Sequence, residues 1–352
     1  MFTASFKELN HRRWDPLRQE WVIVSPKRVG RPWSGIVEKD PLERPPSYDP
    51  ECYLCPGNIR AGGAVNPCYR QVFCFDNDFA ALSSEVGELT GVSALDGIIQ
   101  LKPASGRCRV VCFSPRHDLT LAELEPSAIR QVIDVWEEEY KFLSEVPGIQ
   151  HVMTFENKGS LMGCSNPHPH GQIWATGFIP NFPLRALQAQ EDYFARHKRR
   201  LLLDYLDWEL REQERIVCSN EYWVVLVPFW AVWPFEVLVL PRLAVQTIGE
   251  LNAAQRESWA AILKEITVRY DNLFETSFPY SMGIYQQPND GRAWSGFQLR
   301  QVFFPPLLRS ATVRKFMVGF ELCAEPQRDL TPEEAAEKLR AVSQVHYKER
   351  RI

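Results

Sequence analysis

Two histidines, His168 and His170, stand on either side of a single proline near the middle of the chain. Residues two apart on an extended segment point to the same side. Pro169 favours extension because it fixes its own φ and disfavours helix in the residue before it. Both imidazoles are therefore expected to project into one site, where a loop enters a strand. Neutral imidazole attacks phosphorus readily near pH 7, although the spacing also fits a metal-ligating or buried histidine pair.

The cysteines indicate thiols and metal ligands more than disulfides. There are nine, an odd number, and only Cys52 and Cys55 form a tight pair, so a disulfide framework is a poor interpretation. A Cys-x-x-Cys pair by itself is a common spacing and indicates zinc only in company with further ligands. Most of the other cysteines are interpreted as small core residues.

Hydrophobic periodicity predicts two similar units. A helix is expected at 126–145 and another at 253–274, and each follows a strand-like run that ends in proline and arginine. Further strands are expected at 150–156, 171–175, 280–285 and 297–304. An antiparallel sheet with one long crossover helix, repeated twice, is an α+β fold whose copies pack as a pseudo-dimer. Two unrelated α+β segments are the alternative.

The expected domain division follows from this repeat. Residues 1–185 form the first unit, which contains the histidines, and residues 214–352 form the second. Between them, residues 186–213 are rich in charge and predict a solvated linker helix. The length of 352 residues and the hydrophobic fraction of 45% allow one large core or two of ordinary size.

Charge and hydropathy narrow the possible partners. The formal charge of −4 and the pI near 6.0 provide no basic face for a polynucleotide, so a bound nucleotide should be a small molecule. Nucleic acid is not an expected partner. Neither an apolar run of about 18 residues nor a signal-peptide core is present, so no membrane association is expected and the cytoplasm is the expected location.

The residues around the histidines carry a specific resemblance. The runs Phe155-Glu156-Asn157-Lys158-Gly159 and Met162-Gly163-Cys164-Ser165-Asn166-Pro167-His168-Pro169-His170-Gly171-Gln172 closely resemble galactose-1-phosphate uridylyltransferases, of the histidine-triad superfamily. Matching segments at 21–26, 228–235 and 305–319 extend the resemblance over nearly the whole chain. It implies that His170 takes a uridylyl group from UDP-glucose and gives it to galactose 1-phosphate, which is ping-pong chemistry.

The resemblance also implies roles for neighbouring residues. Gln172 would hydrogen-bond the phosphoryl oxygens, and Cys164 and Ser165 would line the phosphate pocket, where electrostatic stabilisation is usually the largest contribution. The implied substrate contacts are Arg28 and Arg31 near phosphate, Ala61 in the base pocket, Asn77 and Asp78 facing the ribose, and Glu156 and Asn157 at the uridylyl group. The implied hexose-phosphate contacts, supplied by the partner subunit of a homodimer, are Lys315, Phe316, Phe320, Glu321 and Gln327.

The resemblance concerns two metal sites, of which this sequence has the ligands for one. The resemblance implies structural zinc on Cys52, Cys55, His117 and His168, a closed sulfur and nitrogen set that would orient His170 without touching substrate. The family's second metal, usually iron, corresponds here to Ala186, Tyr285, Arg300 and Val302. These are not ordinary metal ligands, so no iron is expected, and Arg300 is a candidate to replace the missing cation.

The substrate pair is less firmly indicated than the chemistry. Phe320 stands where the family typically has tyrosine, so a hydroxyl near the hexose phosphate is missing, and Ala61 leaves room around the base. A transferase using another nucleotide or sugar phosphate, for example in a biosynthetic pathway, is therefore an alternative. A histidine-triad hydrolase or phosphorylase is another, although Gln172 argues against a hydrolase. A zinc-stabilised nucleotide-binding protein without activity is the non-enzymatic alternative.

Overall fold

The computed structural model describes residues 8–30, 45–84, 91–308 and 314–350. Within these ranges the strands are β1 (His11–Asp15), β2 (Glu20–Val24), β3 (Phe73–Asp76), β4 (Val92–Ala94), β5 (Ile99–Leu101), β6 (Gly106–Cys112), β7 (His151–Lys158), β8 (His170–Thr176), β9 (Ile216–Ser219), β10 (Trp223–Leu226), β11 (Val237–Pro241), β12 (Tyr280–Tyr285), β13 (Arg300–Phe304), β14 (Leu307–Leu308), β15 (Arg314–Lys315) and β16 (Gln327–Arg328). The helices are α1 (Pro126–Ser144), α2 (Asn181–His197), α3 (Leu201–Glu212), α4 (Ala253–Phe274), α5 (Phe320–Cys323), α6 (Pro332–Ala341) and α7 (Tyr347–Arg350).

One antiparallel sheet of nine strands organises the chain, in the order β3-β6-β8-β7-β12-β13-β11-β10-β9. The first four strands belong to the predicted first unit and the other five to the second, and β7 pairs with β12 where the units meet. The expected α+β fold with paired units is confirmed. The expected helices at 126–145 and 253–274 are α1 and α4, whereas the strand expected from residue 297 begins at Arg300.

Strand pairing shows which positions of the two units correspond. In the first unit Cys112 lies opposite His170, and in the second unit Leu238 lies opposite Val302. Cys112 and Leu238 each stand three residues before the proline-arginine pair of their own unit. Val302 therefore occupies the register of His170, and Arg300 occupies the register of His168.

One face of the sheet is covered by α1 and α4. Their buried faces include Trp136 and Trp259, which pack with Trp223 of β10 in the main hydrophobic core. At the start of α4 the Asn252 side chain accepts a hydrogen bond from the Gln255 backbone, which satisfies one of the unpaired donors of the first turn. Among the described helices, none is long and apolar enough to cross a membrane.

The segment expected to form one solvated linker helix is different in the structure. It forms two helices, α2 and α3, separated at Lys198, which adopts left-handed backbone angles. Leu201, Leu202 and Leu206 are buried against β9–β11 on the sheet face opposite α1 and α4. The prediction of a solvated helix was wrong because the charged residues occupy one side of these helices, while the leucines cover apolar strand residues. The predicted domain bounds stay a prediction.

A buried ion pair links the two units. Lys158, the last residue of β7, donates to the Asp271 carboxylate of α4 at 2.8 Å, and both side chains are almost fully buried. The same carboxylate accepts hydrogen bonds from the Phe278 backbone and from His346. Burial alone would raise the pKa of Asp271, but these cations and donors hold it below its ordinary value.

The substitution Asp271→Asn is expected to lower the free energy of unfolding by about 3–5 kcal/mol, because it leaves the buried Lys158 ammonium without a counterion. Urea unfolding monitored by fluorescence at pH 7 measures the change. The control is Glu20→Gln, which removes a half-exposed partner of Arg185 and should cost less than about 1 kcal/mol. Equal losses in the two variants would contradict this account of the ion pair.

Candidate active site

Four potential metal ligands lie together beside the sheet. Cys52 and Cys55 come from the loop before β3, His117 follows β6, and His168 lies just before β8. All four are buried, and their ligand atoms lie within 4.8 Å of one another. The four residues that the sequence assigned to one metal are thus brought together, and we call them the Cys₂His₂ group.

The distances within the Cys₂His₂ group fit a tetrahedral ion. Cys55 Sγ lies 3.6 Å from Nδ1 of His117 and 3.5 Å from Nδ1 of His168. With zinc–sulfur bonds near 2.3 Å and zinc–nitrogen bonds near 2.0 Å, such ligand pairs stand about 3.5 Å apart. The donor set of two thiols and two imidazoles is also the closed set that structural zinc prefers. The group can therefore bind a metal ion.

The orientation of His168 is set from outside the group. Its Nε2 lies 2.9 Å from the Ser114 carbonyl oxygen, to which it can donate, and Nδ1 then keeps its lone pair for a metal. The His168 backbone N–H donates to the Asn166 side chain at 2.9 Å, and Asn166 also donates to Cys52 Sγ. Burial lowers the pKa of His168 to about 4, so its ring is neutral, as ligation requires.

His170 is the first residue of β8, which confirms that the histidines lie where a loop enters a strand. Its Nδ1 lies 2.7 Å from the carbonyl oxygen of His168. A carbonyl can only accept, so Nδ1 carries the proton and Nε2 carries the free lone pair. Burial lowers the pKa of His170 below its ordinary value. The ring is therefore neutral near pH 7 and presents Nε2 as a nucleophile.

A cavity of about 90 Å³ lies against His170 and Gln172. The Gln172 side-chain oxygen accepts from the Trp174 indole at 3.0 Å, which leaves its NH₂ group as the free donor of the amide. Ser165 and Cys164 line the same cavity, as the sequence predicted. Burial raises the pKa of the Cys164 thiol, and its sulfur donates to the Asn166 carbonyl at 3.1 Å, so it is a neutral wall of the cavity.

Two neighbours on β7, Asn157 and Glu156, point to opposite faces of the sheet. Asn157 lines the His170 cavity, and its side-chain oxygen accepts from Ser281 of β12 at 2.6 Å. Glu156 instead accepts from the Tyr280 hydroxyl at 3.0 Å inside the core, where burial raises its pKa to about 7. Glu156 also lines a second cavity beside His170, and its direct contact with substrate stays a prediction.

The residues expected around a nucleoside lie beside this cavity. Asn77 Nδ2 reaches Gln172 at 3.5 Å, and Asp78 accepts from the Gly62 backbone N–H at 3.1 Å. A Cβ atom on Gly62 would lie 2.7 Å from the Asp78 carboxyl carbon, so this close approach requires glycine. Ala61 is exposed next to it. The structure thus brings Asn77, Asp78 and Ala61 to one border of the site.

The expected hexose-phosphate residues form a separate group. Arg28 donates to the Gln327 side chain at 3.0 Å, and the Gln327 backbone donates to Glu321. Phe316 and Phe320 are 69% and 61% exposed. None of these described residues lines the cavities at His170. Only the backbone of Lys315 is described, and Arg31 lies outside the described residues.

The four positions that the resemblance assigned to a lost second metal also converge. Ala186, Tyr285, Arg300 and Val302 line one cavity, on the same sheet face as His170 but in the second unit. The expected absence of iron stays a prediction. Sequence reasoning missed Trp174 and Ser281, which orient Gln172 and Asn157. Trp174 could have been found, because it lies two residues beyond Gln172 on the same strand face.

Matches to known proteins extend over nearly the whole chain. The model of the galactose-1-phosphate uridyl transferase N-terminal domain matches residues 2–180, and that of the C-terminal domain matches residues 186–351. A galactose-1-phosphate uridylyltransferase of Haemophilus influenzae is 52% identical over 350 residues, which cover 99% of each chain. One of Rattus norvegicus is 49% identical, covering 98% of this chain and 90% of its own.

Solved structures show the same architecture. A structure titled as a uridylyltransferase superposes with a TM-score of 0.74 at 25% identity, covering 95% of this chain and 98% of its own. An ADP-glucose phosphorylase from Arabidopsis thaliana superposes with a TM-score of 0.73 at 20% identity, covering 95% of this chain and 99% of its own, which shows the fold alone.

The class of the protein follows from these findings together with the paired units and the imidazole-lined cavity. It is a transferase built from two histidine-triad-like units. More particularly, the chain belongs to the galactose-1-phosphate uridylyltransferase family.

The substitution Cys55→Ser is expected to remove the bound metal and to lower the melting temperature, because it deletes a ligand that lies within 3.6 Å of two others. Metal content per chain, measured by plasma mass spectrometry after gel filtration, should fall from near one to near zero. The control is Cys68→Ser, since Cys68 is an exposed free thiol outside the group. Full metal content in Cys55→Ser would refute the assignment.

Proposed function

We propose that the chain moves a UMP group between UDP-glucose and galactose 1-phosphate through a uridylyl-His170 intermediate. The observation that carries this proposal is the hydrogen bond from Nδ1 of His170 to the His168 carbonyl. It presents the Nε2 lone pair to a cavity that also holds the Gln172 amide and the Ser165 hydroxyl. The high identity to proteins named for this reaction supports the same substrates.

In the first step Nε2 attacks the α-phosphorus of the nucleotide sugar. A nitrogen–phosphorus bond forms, the bond from phosphorus to the bridging oxygen breaks, and glucose 1-phosphate leaves with the bonding electrons. The transferring phosphoryl group develops charge on its oxygens, and the free NH₂ of Gln172 is placed to donate to them. The Trp174 indole prevents that amide from turning its oxygen toward the phosphoryl group.

In the second step a phosphate oxygen of galactose 1-phosphate attacks the same phosphorus. The nitrogen–phosphorus bond breaks and its electrons return to Nε2, so the histidine ends the cycle neutral, as it began. No general base is needed for either step, because both attacking atoms already carry a free electron pair at neutral pH. The site must therefore supply position and hydrogen-bond donors more than proton transfer.

The Cys₂His₂ group is proposed to hold zinc. The sulfur–nitrogen distances and the outer hydrogen bond from His168 to Ser114 support a closed, four-ligand site. Zinc bound there would hold the loop that ends in His168, and thereby the backbone carbonyl that orients His170. Such an ion has no open position for substrate, so its contribution would be structural.

A homodimer with shared active sites is proposed for the hexose-phosphate step. Arg28, Gln327 and Glu321 form one group away from the His170 cavity, so within one chain they do not complete it. Beside them Phe316, Val318 and Phe320 are each more than 60% exposed. An exposed apolar segment rimmed by polar groups is typical of a protein interface. A second copy would cover it and receive these contacts.

We also propose that the protein works in the cytoplasm. None of the nine cysteines, all of which lie within the described residues, forms a disulfide, and cysteines stay reduced in the cytoplasm. The proposed substrates, nucleotide sugars and sugar phosphates, are intracellular metabolites. The units 1–185 and 214–352, separated by 186–213, remain part of this proposal; the matched C-terminal family domain begins at residue 186 and therefore includes the segment 186–213.

Incubation with UDP-glucose labelled at the α-phosphate should leave about one label per chain, stable in base and labile in acid, as for a phosphoramidate. His170→Ala should carry no label. His197→Ala changes an exposed histidine on α2 and should be labelled like the wild type. Equal labelling of His170→Ala would refute the covalent step.

The fate of the label then identifies the acceptor. Galactose 1-phosphate should release it as UDP-galactose. Release to water would instead indicate a hydrolase, release to inorganic phosphate a phosphorylase, and selective release to another sugar phosphate a related transferase. The same assay with GDP-, ADP- and dTDP-sugars tests the base.

Shared sites predict complementation between two inactive variants. His170→Ala and Gln327→Ala would each lack one component of both sites, whereas a mixed dimer has one complete site. Unfolding and refolding an equal mixture should therefore restore about a quarter of the wild-type activity in a twofold dimer. His170→Ala mixed with Gln172→Ala is the control, since both changes fall in one cavity. No recovery in the first mixture would contradict shared sites.

A further inference from the structure

The cavity around Arg300 is separate from the cavities at His170, where the proposed reaction takes place. It is formed by the second unit, α2 and the turn after β1. Its volume is about 80 Å³. It shares no lining residue with the cavities at His170. By register, Arg300 holds the position that the metal ligand His168 holds in the first unit.

Arg300 is a buried cation without a hydrogen-bonded counterion. Its residue is 3% exposed, and Nη1 has no hydrogen-bond partner among the described residues. The guanidinium lies over the Tyr285 ring at 4.3 Å and near Phe297 at 5.8 Å. Burial lowers the pKa of Arg300 to about 10, so it remains charged at neutral pH. A buried charge without partners is costly, and a ligand of opposite charge would offset that cost.

The acidic groups of the cavity do not supply that partner. Asp15 accepts from the backbone N–H groups of Leu17 and Arg18, and Glu236 accepts from those of Val232 and Trp233. Burial raises the pKa of both carboxyl groups, to about 7 for Glu236. Asp15 also lies 3.8 Å from the Arg18 guanidinium, and among the described residues neither carboxylate forms a hydrogen bond or ion pair with Arg300.

The cavity does not fit a metal ion. Its lining includes Arg300 and Arg18, and fixed positive charges repel cations. Among the described residues, the metal ligands that cluster are those of the Cys₂His₂ group, and no such cluster lies at this cavity. A guanidinium fork is instead well shaped for planar or tetrahedral oxyanions.

We propose that this cavity of the second unit binds a small oxyanion on Arg300. The Tyr285 ring holds the guanidinium in place, and Arg18, which also lines the cavity, adds positive charge. The available space accommodates an ion of the size of sulfate or phosphate, or the carboxylate end of a small acid. The anion would stabilise the second unit at the position where the first unit carries its metal group.

Equilibrium dialysis with labelled inorganic sulfate, at constant ionic strength in sodium chloride, tests the proposal. The wild type should bind about one sulfate per chain, and Arg300→Met should weaken binding by about tenfold or more, as expected for loss of charged hydrogen bonds. Gln172→Ala should leave sulfate binding unchanged, because its cavity is separate. Acetate and phosphate as competitors distinguish a carboxylate site from a site for tetrahedral anions.

Three outcomes would overturn the proposal. These are no sulfate binding by the wild type in the millimolar range, equal binding by Arg300→Met, or loss of binding in Gln172→Ala, which would assign the anion to the His170 cavity. If circular dichroism shows that Arg300→Met is unfolded, Arg300→Lys carries the test. Lysine keeps the charge but not the fork, so its sulfate affinity should fall, and an unchanged affinity would refute the site.

Discussion

The structure of the site depends on one residue, His168, which takes part in two interactions at once. Its ring nitrogen Nδ1 belongs to the Cys₂His₂ group, and its backbone carbonyl accepts the proton-bearing Nδ1 of His170. Fixing the ring of His168 therefore fixes the carbonyl that selects the tautomer of His170. A shift of His168 would also move His170, because only Pro169 separates them and proline restricts the backbone. Metal binding and nucleophile orientation are parts of one local geometry.

The nine-stranded sheet explains why this geometry is stable. The loop that carries His168 ends in β8, and β8 lies between β6 and β7, so it is paired on both sides. The second unit contacts the first directly, because β7 pairs with β12 and Lys158 forms an ion pair with Asp271 of α4. The second unit thus supports the catalytic strand even though it contains no counterpart of His170.

Sequence reasoning predicted what local chemistry determines. The helices 126–145 and 253–274 have clear periodicity, and the Cys₂His₂ group and the His170 cavity were found from residue types and resemblance. It failed for residues 186–213, because exposed charge says little about the opposite side of a helix, which here covers strands far away in sequence. It also could not predict that Glu156 and Asn157 face opposite ways into different environments, since this requires the β7 register and its neighbours.

At corresponding positions, the two units have groups suited to ions of opposite charge. At corresponding register positions, just before β8 and at the start of β13, the first unit has the neutral imidazole of His168 and the second has the cationic guanidinium of Arg300. A neutral imidazole beside two cysteines is complete with a cation, because thiolates supply the negative charge. A guanidinium over an aromatic ring would be complete with an anion, because no carboxylate among the described residues forms a hydrogen bond or ion pair with Arg300. The second unit can therefore lack metal ligands, because an anion bound at Arg300 would balance the charge of its cavity.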